Sequence, residues 1–198
     1  MNIFIYNNSR VFLVIKNGMR VILIFCLLSA SVYAETNALT ISLWGNAAAY
    51  AGVDVNTLYG IALQETGIQW SDGTFRPWPW SLCVNKSQNG ILKGAYRFNT
   101  KQDAQRALIN MLDKGVNNVD VGLMQINVMW NGHRVKDKAS LLEPSVNLTV
   151  AASILKDVNN SQQAYDAVGK YHSFNTERGL AYANRVKHYQ RMLHEKYH

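Results

Sequence analysis

The sequence predicts one mainly α-helical domain of about six helices with a small β-hairpin insertion. Three observations lead there. Apolar residues recur at i, i+3, i+4 and i+7 in six separate stretches, the spacing of a buried helix face. Residues 68–99 break that spacing with prolines, tryptophans and glycines. The chain has 198 residues, 48% of them hydrophobic, which suits a single core and excludes a disordered chain. The sequence contains no linker-like run or self-similar repeat, so a multidomain array or solenoid is not expected.

The N-terminus is expected to be separate from that domain. Residues 1–34 hold Arg10, Lys16 and Arg20 but no acid. Met19-Arg20, the apolar run Val21–Leu28 and the small-residue stretch ending Val32-Tyr33-Ala34 read as a secretory signal cleaved before Glu35. The apolar run is too short to span a bilayer as a helix, so no stable membrane span is expected after cleavage. Val11–Ile15 adds a second apolar run, which leaves a start at Met19, a long leading region and an uncleaved anchor all open. Residues 35–198 are then the folded domain. Cleavage would remove Cys26 and leave Cys83 alone, so no internal disulfide is expected despite export. It would also reduce the formal charge: the whole chain carries +7, and without its three leader cations it has 17 Lys+Arg against 13 acids, or +4. That residue of charge suits attraction to an anionic polymer, and no basic stripe interleaved with aromatics suggests nucleic acid.

Each helix has its own signal. Trp44, Ala47, Ala48 and Ala51 form the first face, with Gly52 as the stop. Leu58, Ile61, Ala62 and Glu65 form the second, with Gly67 beyond. Thr100 and Asp103 resemble a capping box ahead of Ala104, Ala107, Leu108 and Met111, and Gly115 ends that helix. Pro144 suits the first turn of a helix carrying Leu148, Ala151, Ala152 and Leu155. Ala164, Ala167, Val168 and Tyr171 mark a short fifth helix, and Tyr182, Val186, Tyr189 and Leu193 a terminal one. In the insertion, Leu82–Val84 faces Tyr96–Phe98 as a small hairpin. Long ordered loops are more often functional than idle, so Trp78 and Trp80 are either core staples or stacking platforms for sugar rings.

Glu65 breaks its pattern. It takes a position where the apolar stripe calls for Leu or Ile, just before the helix stop. Desolvation and the negative end of the helix dipole both favour a protonated carboxyl there. Such an acid can protonate a leaving oxygen, as in glycoside cleavage; a glutamate turned to solvent or paired with a lysine fits the spacing equally.

Gln64-Glu-Thr-Gly67 at a helix end, followed by Val121-Gly-Leu-Met-Gln-Ile-Asn127, resembles the paired motifs of the soluble lytic transglycosylase (SLT) domain. The Trp78-Pro-Trp80 loop, Asp120 before the second motif, Gly169-Lys-Tyr-His-Ser173 and Tyr182-Ala-Asn-Arg-Val186 are more narrowly similar to small exported transglycosylases of conjugation and type IV secretion systems. The resemblance spans roughly residues 40–190. It implies a lysozyme-like (goose-type/SLT) fold, a periplasmic location, peptidoglycan glycan strands as substrate, partners in a conjugation or secretion apparatus, and no cofactor. It also implies that Glu65 is the single indispensable catalytic carboxyl, cutting the β-1,4 bond between N-acetylmuramic acid and N-acetylglucosamine with closure of a 1,6-anhydro ring.

The second motif suits a glycan cleft. Gly122 permits close backbone approach to a ligand, Met124 offers an adaptable apolar wall, and Gln125 and Asn127 supply donors and acceptors. By resemblance Met124, Gln125, Asn127 and Tyr171 line the cleft, although His172 stands where the family pattern has Asn. Asp72 or Asp120 could hold a water as the base of an inverting lysozyme, at roughly 6.5–9.5 Å from the acid. His133, His172, His188, His194 and His198 show no metal-site spacing, and Cys83 has no catalytic context. Hydrolytic goose-type lysozyme and a non-catalytic peptidoglycan-binding assembly factor are the competing readings.

Overall fold

Ser42 starts the first helix by accepting a 3.2 Å hydrogen bond from the Trp44 N–H. Gly52 closes it at φ 71°, a conformation glycine adopts without a Cβ clash. This helix, α1 (Leu43–Ala51), lies in the larger of two units of the computed structural model, Thr36–His198; the other is Met1–Glu35. The described residues are 3–7, 10–14, 42–159 and 167–197. In the smaller unit β1 (Ile3–Asn7) pairs antiparallel with β2 (Arg10–Val14), so most of the apolar run Val11–Ile15 is strand. The expected Val21–Leu28 core, Cys26 and the cleavage point after Ala34 lie outside the described residues.

The remaining helices of the larger unit are α2 (Val55–Thr66), α3 (Lys101–Asp113), α4 (Val128–Asn131), α5 (Pro144–Asn159), α6 (Ala167–His172) and α7 (Thr176–Tyr197). Five of these stand where the apolar spacing placed them, although Ala164 lies outside the described residues. The exception, α4, is a single turn too short for periodicity to register. Thr100 caps α3 by accepting from the Asp103 N–H at 3.1 Å while its own hydroxyl donates to Asp103 Oδ2 at 2.7 Å. Helix α1 packs on α5, and α7 packs on both α2 and α6. Leu58, Ile61, Leu148, Leu155, Tyr182 and Val186 on these helices are fully buried, each aliphatic side chain contributing roughly 1.5–3 kcal/mol relative to exposure. A Cβ on Gly169 would lie 2.9 Å from the Gly179 carbonyl oxygen. Glycine at 169 therefore lets α6 and α7 approach closely, which brings Tyr171 and Tyr182 into one neighbourhood.

The insertion is more strand-rich than the sequence suggested. Strands β3 (Gly67–Gln69) and β4 (Phe75–Pro77) pair antiparallel directly after α2. The expected hairpin is β5 (Ser81–Val84) with β6 (Gly94–Arg97), with Leu82 opposite Tyr96. Two unexpected strands, β7 (Val119–Val121) and β8 (Ile126–Asn127), extend it into an antiparallel sheet of order β6-β5-β7-β8. Side chains alternate across a strand, so buried Leu82, Val84, Val119 and Val121 leave Cys83 and Asp120 on the opposite face. Asp120 also pairs with Asn127 across β7–β8. The fold is thus mainly helical with a small antiparallel sheet, and among the described residues no helix is long and apolar enough to cross a membrane.

Candidate active site

The last turn of α2 shows a separate task for each residue of Glu65-Thr66-Gly67. Thr66 is buried, and its hydroxyl lies 2.9 Å from the Leu123 carbonyl and 3.2 Å from the Ala62 carbonyl. It ties the helix end to the second motif. Gly67 has an ordinary φ of −57°, but a Cβ there would sit 2.4 Å from the Leu63 carbonyl oxygen and 2.6 Å from the Phe75 ring. Only glycine lets β4 close over the helix end.

Between these anchors Glu65 is half-buried, and Tyr182 on α7 donates a 2.5 Å hydrogen bond to its Oε1. Burial pushes the Glu65 carboxyl up to about 7, aided by the like charge of Asp120 and opposed by the Tyr182 hydrogen bond and the Arg185 charge. Desolvation outweighs both opposing effects, leaving a large protonated fraction at neutral pH.

Residues 122–125 form the turn between β7 and β8, and its backbone is taken up by scaffold contacts. The buried Asn147 of α5 accepts from the Met124 N–H at 2.8 Å and donates to the Val121 and Leu141 carbonyls at 2.9 and 2.8 Å. Tyr171 Oη donates to the Met124 carbonyl at 2.7 Å. Gly122 has φ 80°, and a Cβ there would meet Asn147 Nδ2 at 2.4 Å. The close approach expected of Gly122 is therefore to Asn147 and not to a ligand. Met124 also differs from expectation: its side chain is fully buried in the core, so it is no wall of the cleft. Gln125 does reach the cleft, from a left-handed backbone at φ 49° that is uncommon for a non-glycine residue, with its Nε2 donating to the Gly122 carbonyl at 2.9 Å.

The cleft has a volume of about 890 Å³ and is lined by Glu65, Asp120, Gln125, Asn127 and Tyr171 among others. Asn85 donates to Asp120 Oδ2 at 2.8 Å and Asn127 to Oδ1 at 2.7 Å. Burial raises the Asp120 carboxyl above its usual range, against those two amides and the nearby His172. Asp72, the other candidate partner, is outside the cleft: it lies in an exposed turn, ion-paired to Arg76 at 2.6 Å and bonded to Thr74. Asn127 lines the cleft and does two further things, donating to Asn118 and capping α4 through the Trp130 N–H.

The insertion's tryptophans also differ from the platform reading. Trp78 meets Trp70 at a tilt and Trp80 edge-on, with ring centroids 4.7 and 5.8 Å apart, and its Nε1 donates to the Phe98 carbonyl at 2.9 Å. Trp80 packs on the core. With its indole N–H engaged and two other indoles against it, Trp78 serves to hold the insertion together, and neither it nor Trp80 lines the cleft.

Sequence reasoning missed several residues. His172 stacks parallel on Tyr182, with ring centroids 4.5 Å apart. Burial and the Arg185 charge push its imidazole below the usual value, while Asp120 pulls the other way. Tyr182 stood in the sequence as a helix-face residue and as part of the Tyr182–Val186 resemblance, with no role at the site assigned to it, although a buried tyrosine hydroxyl signals a required partner. Asn147 had no signal beyond being polar on an apolar helix face. Trp130 and Phe174 line the cleft at 70% and 73% exposure. Among the described residues no group of three His, Cys, Asp or Glu is placed to hold a metal ion. Comparison with family models, curated proteins and solved structures gives no match.

Proposed function

We propose that the protein is a peptidoglycan lytic transglycosylase with a lysozyme-like fold, and that Glu65 is its acid and then its base. The observation that carries this reading is a half-buried carboxyl lining a large cleft, pushed up to about 7 by burial and hydrogen-bonded by Tyr182. A protonated Glu65 would donate its proton to the glycosidic oxygen between N-acetylmuramic acid and N-acetylglucosamine, breaking the C–O bond. The resulting carboxylate would take the proton of the muramyl C6 hydroxyl, whose oxygen closes onto C1 as the 1,6-anhydro ring. Glu65 ends protonated, as it began, and no water is consumed. The amides of Gln125, Asn127 and Asn85 suit hydroxyl and acetamido groups along a glycan strand.

The motif resemblance adds export to the periplasm through residues 1–34 and local opening of the wall for a conjugation or type IV secretion apparatus. A second reading, hydrolysis as in goose-type lysozyme, is favoured by one observation: Asp120 shares the cleft with Glu65 and is held by two amides, so it could activate a water. A non-catalytic wall-binding role has no comparable support. Clearing of a suspension of purified sacculi by residues 35–198, against the same chain carrying Glu65→Gln, tests the enzymatic reading: clearing by the unmutated protein alone supports it, and no clearing by either overturns it.

A further inference from the structure

Two large aromatic side chains in the cleft have almost no packing role. Trp130 on α4 and Phe174 after α6 are 70% and 73% exposed, the latter the most exposed of the large apolar side chains described. Both line the cleft that contains Glu65, although they come from segments far apart in sequence. Exposed rings beside amides and carboxylates match the two sides of a pyranose: C–H faces that pack on an aromatic ring, and edges of hydroxyl and acetamido groups that hydrogen-bond. The position of Trp130 is also fixed. Asn127 Oδ1 accepts from the Trp130 N–H at 3.2 Å while Asn127 Nδ2 donates to Asp120 at 2.7 Å. One amide therefore sets the ring's backbone relative to the acidic floor.

We infer that Trp130 and Phe174 are stacking platforms of the glycan-binding cleft, holding pyranose rings of the strand on which Glu65 acts; this rests on the proposed function. The platform role considered for Trp78 and Trp80 passes to these two residues, which are largely exposed and line the cleft. The platforms contribute affinity, since neither ring supplies a titratable group to the reaction.

The test measures binding of purified sacculi and of soluble β-1,4-linked N-acetylglucosamine oligomers in the Glu65→Gln background, where no strand is cut. Trp130→Ala and Phe174→Ala, each added to that background, are expected to weaken binding about tenfold with the thermal midpoint unchanged. Trp130→Phe should recover most of the loss, because a flat ring is retained. Binding by both alanine variants equal to that of Glu65→Gln alone would overturn the platforms and leave the exposed rings to a protein partner. That failure is distinct from failure of the functional reading, in which the unmutated chain neither clears sacculi nor binds the oligomers, and which also removes the basis of the platforms.

Discussion

Tyr182 Oη donates a 2.5 Å hydrogen bond to Glu65 Oε1, joining residues 117 positions apart in sequence. The same tyrosine ring is buried and stacked on His172, so the hydroxyl can hold the carboxyl in one orientation. In the proposed reaction Tyr182 would be a positioning residue, acting through Glu65. Tyr182→Phe is expected to lower kcat/KM on peptidoglycan between about 10- and 100-fold, the scale of a slightly misplaced catalytic group. A merely structural tyrosine would leave the pH profile alone. Here the lost donor favours the neutral acid, so the alkaline limb should move to higher pH.

The pH profile expected of the unmutated protein follows from the same carboxyl. In the proposed reaction Glu65 starts protonated, so kcat/KM should fall as pH rises through about 7. Asp120 raises Glu65 by like charge, whereas Arg185 and the Tyr182 hydrogen bond lower it, and His172 is stacked on the Tyr182 ring. Asp120→Asn keeps an acceptor for the surrounding amides but removes the charge. Its alkaline limb should move to lower pH, which a pH series of initial rates would read.

Linkage makes Glu65 a cost to stability. Its carboxyl titrates near 7 when folded against 4.5 unperturbed, so between those values the native state keeps a proton that the unfolded chain has lost. Stability from this group is fully present below pH 4.5 and declines as pH rises to about 7. Glu65→Gln should therefore stabilise the protein at pH 8 by on the order of 1–2 kcal/mol, after discounting for the solvent on the cleft side, and have little effect at pH 4. Thermal unfolding at the two pH values checks the sign.

Asn147 and Trp78 carry structural predictions. Asn147→Ala strands the Met124 N–H and the Val121 and Leu141 carbonyls in the interior, a loss of about 2–4 kcal/mol. Trp78→Ala opens the ring cluster of the insertion and should cost about 3 kcal/mol without weakening binding to sacculi. Denaturant titration measures the first quantity, and weakened binding with an unchanged midpoint for Trp78→Ala would contradict its packing role.

The legible and illegible parts of this sequence divide along physical lines. Long helices announce themselves: Leu58, Ile61 and Ala62, or Leu148, Ala151 and Leu155, repeat often enough for 3.6-residue spacing to stand out. Glu65 was visible for the opposite reason, as a charge interrupting such a stripe. Strands β7 and β8 were not visible, since three and two residues hold no period, and without them Asp120 had no assigned face. Met124 and the Trp78–Trp80 pair show a different gap. Residue type alone describes what a side chain could touch, but Met124 is drawn inward by the turn that Asn147 and Tyr171 hold, and Trp78 by the Phe98 carbonyl. Trp130 and Phe174 lie in segments too short for pattern, so their exposure emerges only in three dimensions.

Mass spectrometry of the muropeptides released from purified peptidoglycan tests the central claim most directly. The unmutated protein should release products ending in 1,6-anhydro-N-acetylmuramic acid, lighter by one water than reducing-end products, and Glu65→Gln should release none. Reducing ends from the unmutated protein would contradict the lyase reaction and assign hydrolysis, and full turnover by Glu65→Gln would contradict the role of Glu65 itself.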